Sequence, residues 1–193
     1  ILRGFDDDVR EALALEMTKK GIAIRAESVV EAIAKTGDGL DVHLKGGEVL
    51  SCDGVLYATG RAPNSEGLGL AEVGVELGER GAVKVDAYSR SSLASVFAVG
   101  DVTDRMNLTP VALAEGMALA RTLFGGEPTA MDYNNVPSAV FSTPPVGVVG
   151  LTEAAAGKLG QVDVYVSDFK PLKHTLTGRA ERTFMKLVVE RTS

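Results

Sequence analysis

Apolar residues at Val9, Ala12, Leu13, Leu15 and Met17 form a stripe with helical spacing, which predicts a helix over residues 6–20. Asp6 stands at its N-cap position, Asp7 and Asp8 in its first turn, Lys19 and Lys20 in its last, and Gly21 just beyond. The pattern then shortens to strand length. Residues 22–25 read as a strand, and residues 28–35 and 40–44 as a hairpin around Gly37-Asp38-Gly39. Gly46-Gly47 turns the chain into a strand at 49–51, and the apolar run 55–58 reads as a buried parallel strand. Residues 61–80 are a glycine-rich connector. Its Gly67-Leu68-Gly69 lacks the strand-to-helix context of a phosphate loop. A short strand at 83–85 and a buried one at 96–99 precede a helix over 110–124, closed by Gly125-Gly126. After a linker at 127–135 come a strand at 137–142, a turn at Pro144-Pro145, a helix starting near Thr152, and strands at 162–166 and 183–189.

A length of 193 residues and 45% hydrophobic content suit one globular domain or two small ones. The net charge of −6 argues against a nucleic-acid partner. No apolar run reaches the roughly 20 residues of a membrane span, and no export signal opens the chain. Cys52 is the single cysteine, which fits a reducing, cytoplasmic setting and excludes an intrachain redox disulfide. His43 and His174 are isolated and lack metal-ligand spacing.

The chemistry concentrates in two neighbouring segments. Val96-Phe97-Ala98-Val99-Gly100-Asp101 reads as a strand ending in a carboxylate, which needs partners if it is buried. Leu108-Thr109-Pro110 reads as a helix start, with Thr109 as N-cap and Pro110 as first helical residue. A carboxylate accepts hydrogen bonds from ligand hydroxyls, and a helix N-terminus stabilises negative charge. The pair suits a flavin, with Asp101 on the ribityl chain and the helix start at the electron-rich pyrimidine end.

The order of motifs resembles the FAD-dependent pyridine nucleotide-disulfide oxidoreductases, over essentially the whole chain. Residues 96–102 look like their second FAD signature, and Ala58-Thr59-Gly60-Arg61-Ala62-Pro63-Asn64 like their interdomain crossover. Leu108-Thr109-Pro110, Asp132-Tyr133-Asn134-Asn135-Val136-Pro137, Val140-Phe141-Ser142-Thr143-Pro144-Pro145 and Gly150-Leu151-Thr152-Glu153 resemble the glutathione reductases within that family. Residues 169–178 resemble their plant and bacterial branch.

The resemblance implies an α/β fold in three pieces: the C-terminal half of an NADPH-binding domain with an antiparallel meander (1–62), a second FAD-binding segment (63–132), and the start of an α+β dimerisation domain (133–193). It implies FAD contacts from Asp101, Leu108 and Thr109. It places Arg3 on the 2′-phosphate of NADPH, Gly60 and Arg61 beside the NADPH ribose-phosphate, and the backbone carbonyl of Ala139 near the nicotinamide carboxamide. A guanidinium suits a phosphate dianion because it donates two parallel hydrogen bonds.

The family's GxGxxG fingerprints, Cys-x4-Cys redox pair and His-Pro-x4-Glu segment are absent from these 193 residues. The expectation is therefore an internal piece of a longer homodimeric enzyme that reduces glutathione disulfide, inactive as an isolated chain. Met117 departs from the pattern: many glutathione reductases carry an Arg there that holds a glutathione carboxylate, and a thioether cannot. Lys170 or Lys173 could supply that charge, although each also reads as an ordinary surface lysine. The alternatives are another flavoprotein disulfide reductase, of trypanothione or mercuric type, or a non-catalytic assembly module.

Overall fold

The computed structural model describes residues 1–191. By internal contacts the chain divides into two compact units: Ile1–Tyr57 with the residues from Pro137 onward, and Ala58–Val136.

In the first unit, helix α1 spans Asp7–Lys19. Asp6 caps it, its Oδ1 accepting the Asp8 N–H at 3.2 Å. Leu13 and Glu16 form the buried stripe of the helix, and Lys19 pairs with Glu16 at 2.5 Å. Strands β1 (Val30–Lys35), β2 (Leu40–Leu44) and β3 (Val49–Cys52) form the expected antiparallel meander. Lys35 pairs with Leu40 across the hairpin, and Asp41 with Ser51. In β2 the buried positions are Val42 and Leu44, two apart, as a strand with one covered face requires.

The rest of this unit holds two antiparallel pairs. Strand β4 (Ser138–Val140) pairs with β5 (Val146–Val148). Strand β6 (Val162–Phe169) pairs with β7 (Thr183–Glu190) along eight residues each. Between them lie the short helices α3 (Glu153–Ala156) and α4 (Lys173–Thr177). Thr152 caps α3 through its side chain.

One lysine ties α1, α3 and β7 together. Lys186 Nζ on β7 lies 2.8 Å from Asp6, 2.6 Å from Asp8 and 2.6 Å from Glu153. Its side chain is 6% exposed. Asp6 is shared, because its Oδ2 also accepts the Glu153 N–H at 2.9 Å. One carboxylate thus serves the first turns of two helices. Burial alone would lower the Lys186 pKa and raise that of Asp6. The three carboxylates outweigh it and push Lys186 upward, and the Lys186 ammonium with the Glu153 and Asp8 amides holds Asp6 below its usual value.

The second unit has little regular structure. It contains helix α2 (Thr109–Phe124), 3-10 turns at Glu79–Gly81 and Gly100–Thr103, and isolated bridges Leu77–Val83 and Arg90–Phe97. Its core is Val75, Val83, Val111 and Ala118 together with the buried polar residues Ser65, Ser89, Ser91, Thr103 and Glu115. Gly100 has φ +72°, and a Cβ there would stand 3.0 Å from the Ala112 Cβ, so this crossing requires glycine.

The mixed helix-and-strand architecture expected from the sequence is present, and every described strand pair is antiparallel. Several elements differ. Residues 22–25 form no strand. Residues 55–58 are not a buried parallel strand: no described strand pairs with them, and Leu56 is 90% exposed. A short apolar run does not reveal whether a partner strand lies beside it. Residues 83–85 and 96–99 reach only single bridges. The second helix starts at Thr109, with Leu108 rather than Thr109 as N-cap. Strand β5 and helix α4 were not expected.

Replacing Lys186 with Met is expected to destabilise the first unit by about 3 kcal/mol or more, since three carboxylates lose their common cation. Urea denaturation of the purified protein measures this. Asp6 titrates below its ordinary value of 3.8 when folded, so its contribution is full above that value and is lost as pH falls through it. Wild type is expected to lose more stability than K186M between pH 5 and pH 3. Gly100→Ala is expected to cost about 1–3 kcal/mol in the same assay, from the left-handed backbone and the Ala112 contact.

Candidate functional site

The site in the second unit is built where the 3-10 turn Gly100–Thr103 meets the start of α2. Asp101 occupies that turn with its side chain exposed and without a hydrogen-bond partner among the described residues. It is therefore not a buried carboxylate needing internal partners, as the strand reading had it. Its oxygens face solvent and are available to a ligand.

The start of α2 is likewise open. Leu108 has extended backbone and no side chain caps the helix. Thr109 and Pro110 are exposed. The first helical bond runs from the Ala112 N–H to the Leu108 carbonyl at 3.0 Å. The positive end of a 16-residue helix and a carboxylate without a partner among the described residues thus sit on neighbouring segments joined by a five-residue loop.

Beneath them lies a network that the sequence reading missed. Glu115 on α2 is 1% exposed. Its Oε2 accepts the Gly100 N–H at 2.5 Å, and its Oε1 accepts the Tyr133 hydroxyl. The Arg105 guanidinium lies 3.1 Å from Oε1 and over the Tyr133 ring, 5.2 Å from its centroid. Arg105 Nε donates to Thr103 Oγ1 at 3.3 Å, and the Thr103 hydroxyl donates to the Gly100 carbonyl at 2.8 Å. Burial and the hydrogen bond to Glu115 raise the Tyr133 pKa to about 12, so the phenol keeps its proton. The legible signal was a charged residue on an apolar stripe: Val111, Glu115 and Ala118 stand at i, i+4 and i+7.

Gly60 and Arg61 also belong to this unit. Gly60 has φ +118° with open space where a side chain would stand, so a ligand can approach its backbone. Arg61 is exposed, forms no ion pair among the described residues, and its carbonyl accepts a bond from Arg80. Met117 is 60% exposed on α2.

Arg3 and Ala139 lie in the first unit. Arg3 is exposed just ahead of the α1 cap and has no ion-pair partner among the described residues. Ala139 is exposed on β4 opposite Gly147, and β4 has β5 as its single described neighbour, so its other edge is open. Lys170 and Lys173 are exposed and unpaired among the described residues. A concavity of about 1030 Å³ between α1, the β4–β5 pair and β7 is lined mainly by apolar side chains and includes none of the expected cofactor-binding residues.

The pyridine nucleotide-disulphide oxidoreductase family model matches residues 1–116, and the dimerisation-domain model of the same family matches residues 136–193. The chain is 49% identical over 191 residues to a glutathione reductase of Pisum sativum, covering 98% of this chain and 35% of that protein. It is 48% identical to a glutathione reductase of Burkholderia cepacia (98% and 42%) and 44% identical to a trypanothione reductase of Leishmania donovani (98% and 39%). It thus spans less than half the length of these relatives. Among solved structures it resembles the HOCl-induced flavoprotein disulfide reductase RclA of Escherichia coli. There the TM-score is 0.89 at 28% identity, covering 98% of this chain and 44% of that one. With two family models together matching most of its length, the chain belongs to the pyridine nucleotide-disulphide oxidoreductases.

Proposed function

We propose that these residues are part of a homodimeric, cytoplasmic flavoprotein that uses NADPH to reduce glutathione disulfide. The observation that carries the flavin half is the free Asp101 carboxylate beside the uncapped start of α2. It offers an acceptor for ribityl hydroxyls and, at Thr109, a backbone donor for the pyrimidine edge, with Leu108 beside it giving its N–H to the Met106 carbonyl at 2.9 Å. Bound there, FAD would supply the redox chemistry, passing the electrons of a hydride to a disulfide; the protein positions and tunes. Asp101 fixes the cofactor's chain, and the helix dipole favours negative charge at its far end.

On the nucleotide side, Arg3 and Arg61 are cations without an ion-pair partner among the described residues, at the positions the family resemblance assigns to NADPH. Arg3 would hold the 2′-phosphate and Arg61 the ribose-phosphate, with Gly60 giving backbone access and the Ala139 carbonyl accepting from the carboxamide. The glutathione reductases among the relatives support the substrate, and the matched dimerisation domain supports the homodimer. Residues 1–62, 63–132 and 133–193 would then be pieces of the NADPH, FAD and dimerisation domains. Among the described residues no helix is long and apolar enough to cross a membrane.

Met117 favours a second reading. An exposed thioether replaces a carboxylate-binding arginine, and a trypanothione reductase stands among the relatives at 44% identity. A disulfide with fewer free carboxylates would tolerate that exchange.

In the intact protein, NADPH oxidation with glutathione disulfide is expected to be fast, and slower with trypanothione disulfide or lipoamide. The reverse order would transfer the substrate to the second reading. Arg3→Met is expected to raise the KM for NADPH about tenfold to a hundredfold, the loss of charge-assisted phosphate bonds, and to leave NADH unaffected. Asp101→Ala is expected to weaken FAD retention, read by flavin absorbance after gel filtration. The 193-residue chain alone is expected to show no turnover, because Cys52 has no partner cysteine.

A further inference from the structure

We infer that Glu115 is the positioning residue of the flavin site, setting Asp101 and the start of α2 in one arrangement through a ring of three hydrogen bonds closed by one ion pair. The inference rests on the flavoprotein reading above and adds a residue that touches no cofactor.

The ring can be followed atom by atom. Glu115 Oε2 takes the Gly100 N–H, and the Gly100 carbonyl takes the Thr103 hydroxyl. Thr103 takes Arg105 Nε, and the Arg105 guanidinium returns to Glu115 Oε1. Both polar groups of Gly100 are therefore gripped, and Gly100 is covalently next to Asp101. Its left-handed backbone and close approach to Ala112 leave this peptide little alternative conformation.

The same carboxylate governs the helix. Glu115 lies one turn beyond Val111, and both are 1% exposed. Withdrawing Glu115 from the interior would strand the Gly100 N–H, the Tyr133 hydroxyl and Arg105 together, so the rotation of α2 about its axis is locked. Leu108 and Thr109, at the head of that helix, are placed by the same lock. The Asp101 side chain has no hydrogen-bond partner among the described residues; its carbonyl accepts the Asp104 N–H at 3.1 Å, and the two Gly100 bonds hold the peptide on its other side. A buried carboxylate whose partners are Gly100, Arg105 and Tyr133 loses stability when any one of them is missing, and the Gly100 bond is the one that reaches Asp101.

The test uses the intact protein, stripped of flavin and titrated with FAD. Glu115→Gln keeps the volume but meets the Gly100 N–H, Tyr133 and Arg105 with an amide, which cannot accept from all three. It is expected to weaken FAD binding about tenfold, the scale of one charge-assisted bond. In an Asp101→Ala background the same change is expected to cost about threefold or less, because the share that acts through Asp101 is gone and the share that acts through the start of α2 remains. Tyr133→Phe, which leaves the Gly100 bond intact, is the stability control. It is expected to lower the unfolding temperature of the flavin-free protein while holding FAD affinity within about twofold.

Unchanged FAD affinity in E115Q, or a tenfold loss that persists in full beside D101A, overturns the positioning role and leaves the flavoprotein reading standing. Wild-type protein that takes up no FAD, or D101A protein that binds it normally, overturns both.

Discussion

A charge withdrawn from water must find its partners inside the protein, and that requirement shapes both units. Their apolar cores are small: among the described residues the buried hydrophobic ones are Leu13, Val42, Leu44, Val75, Val83, Val111 and Ala118. Buried ionic groups carry much of the specification instead. Glu115 gathers donors from three segments of the second unit. Lys186 gathers three carboxylates from the first turns of α1 and α3 in the first. Apolar burial tolerates many packings of similar volume. A buried carboxylate with three designated donors tolerates far fewer, because each misplacement leaves a polar group unsatisfied.

The division of labour in the second unit follows. Asp101 and Thr109 are exposed, and the Asp101 carboxylate has no partner among the described residues, whereas Glu115 and Thr103 are buried and hydrogen-bonded. A binding group satisfied by the protein would have nothing left for a ligand, and one on an unsupported loop would pay its ordering entropy at each binding event. The turn Gly100–Thr103 avoids both difficulties. Arg3 and Arg61 show the first half of this pattern, as exposed guanidinium groups with no ion-pair partner among the described residues.

Much of the local structure was legible in the chain. The extent of α1 with its Asp6 cap, the hairpin around Gly37-Asp38-Gly39, the end of α2 at Gly125 and the Thr152 cap all depend on neighbours within a few residues, whereas the α1 stripe held only in part, with Leu15 57% exposed and Glu16 buried. The motif order that pointed to the family was also linear, and the family models match the same segments. The errors share one cause. Residues 55–58 and 96–99 are apolar runs whose strand character depends on a partner strand, and a run of apolar letters carries no information about that partner. Thr109 misled for a related reason: the residue types at a helix start overlap, and backbone geometry selected Leu108 as the cap.

The sequence by itself determined helices α1 and α2, the turn of the β1–β2 hairpin and the family, because each is written in short-range pattern or motif. Tertiary structure alone decided that Asp101 is open rather than buried, that Asp6 serves two helices 146 residues apart in their N-cap positions, and that Glu115 reaches back to Gly100. Charges find each other through space once the chain has folded, and the distance along the chain between Lys186 and Asp6, or between Glu115 and Gly100, does not encode the meeting.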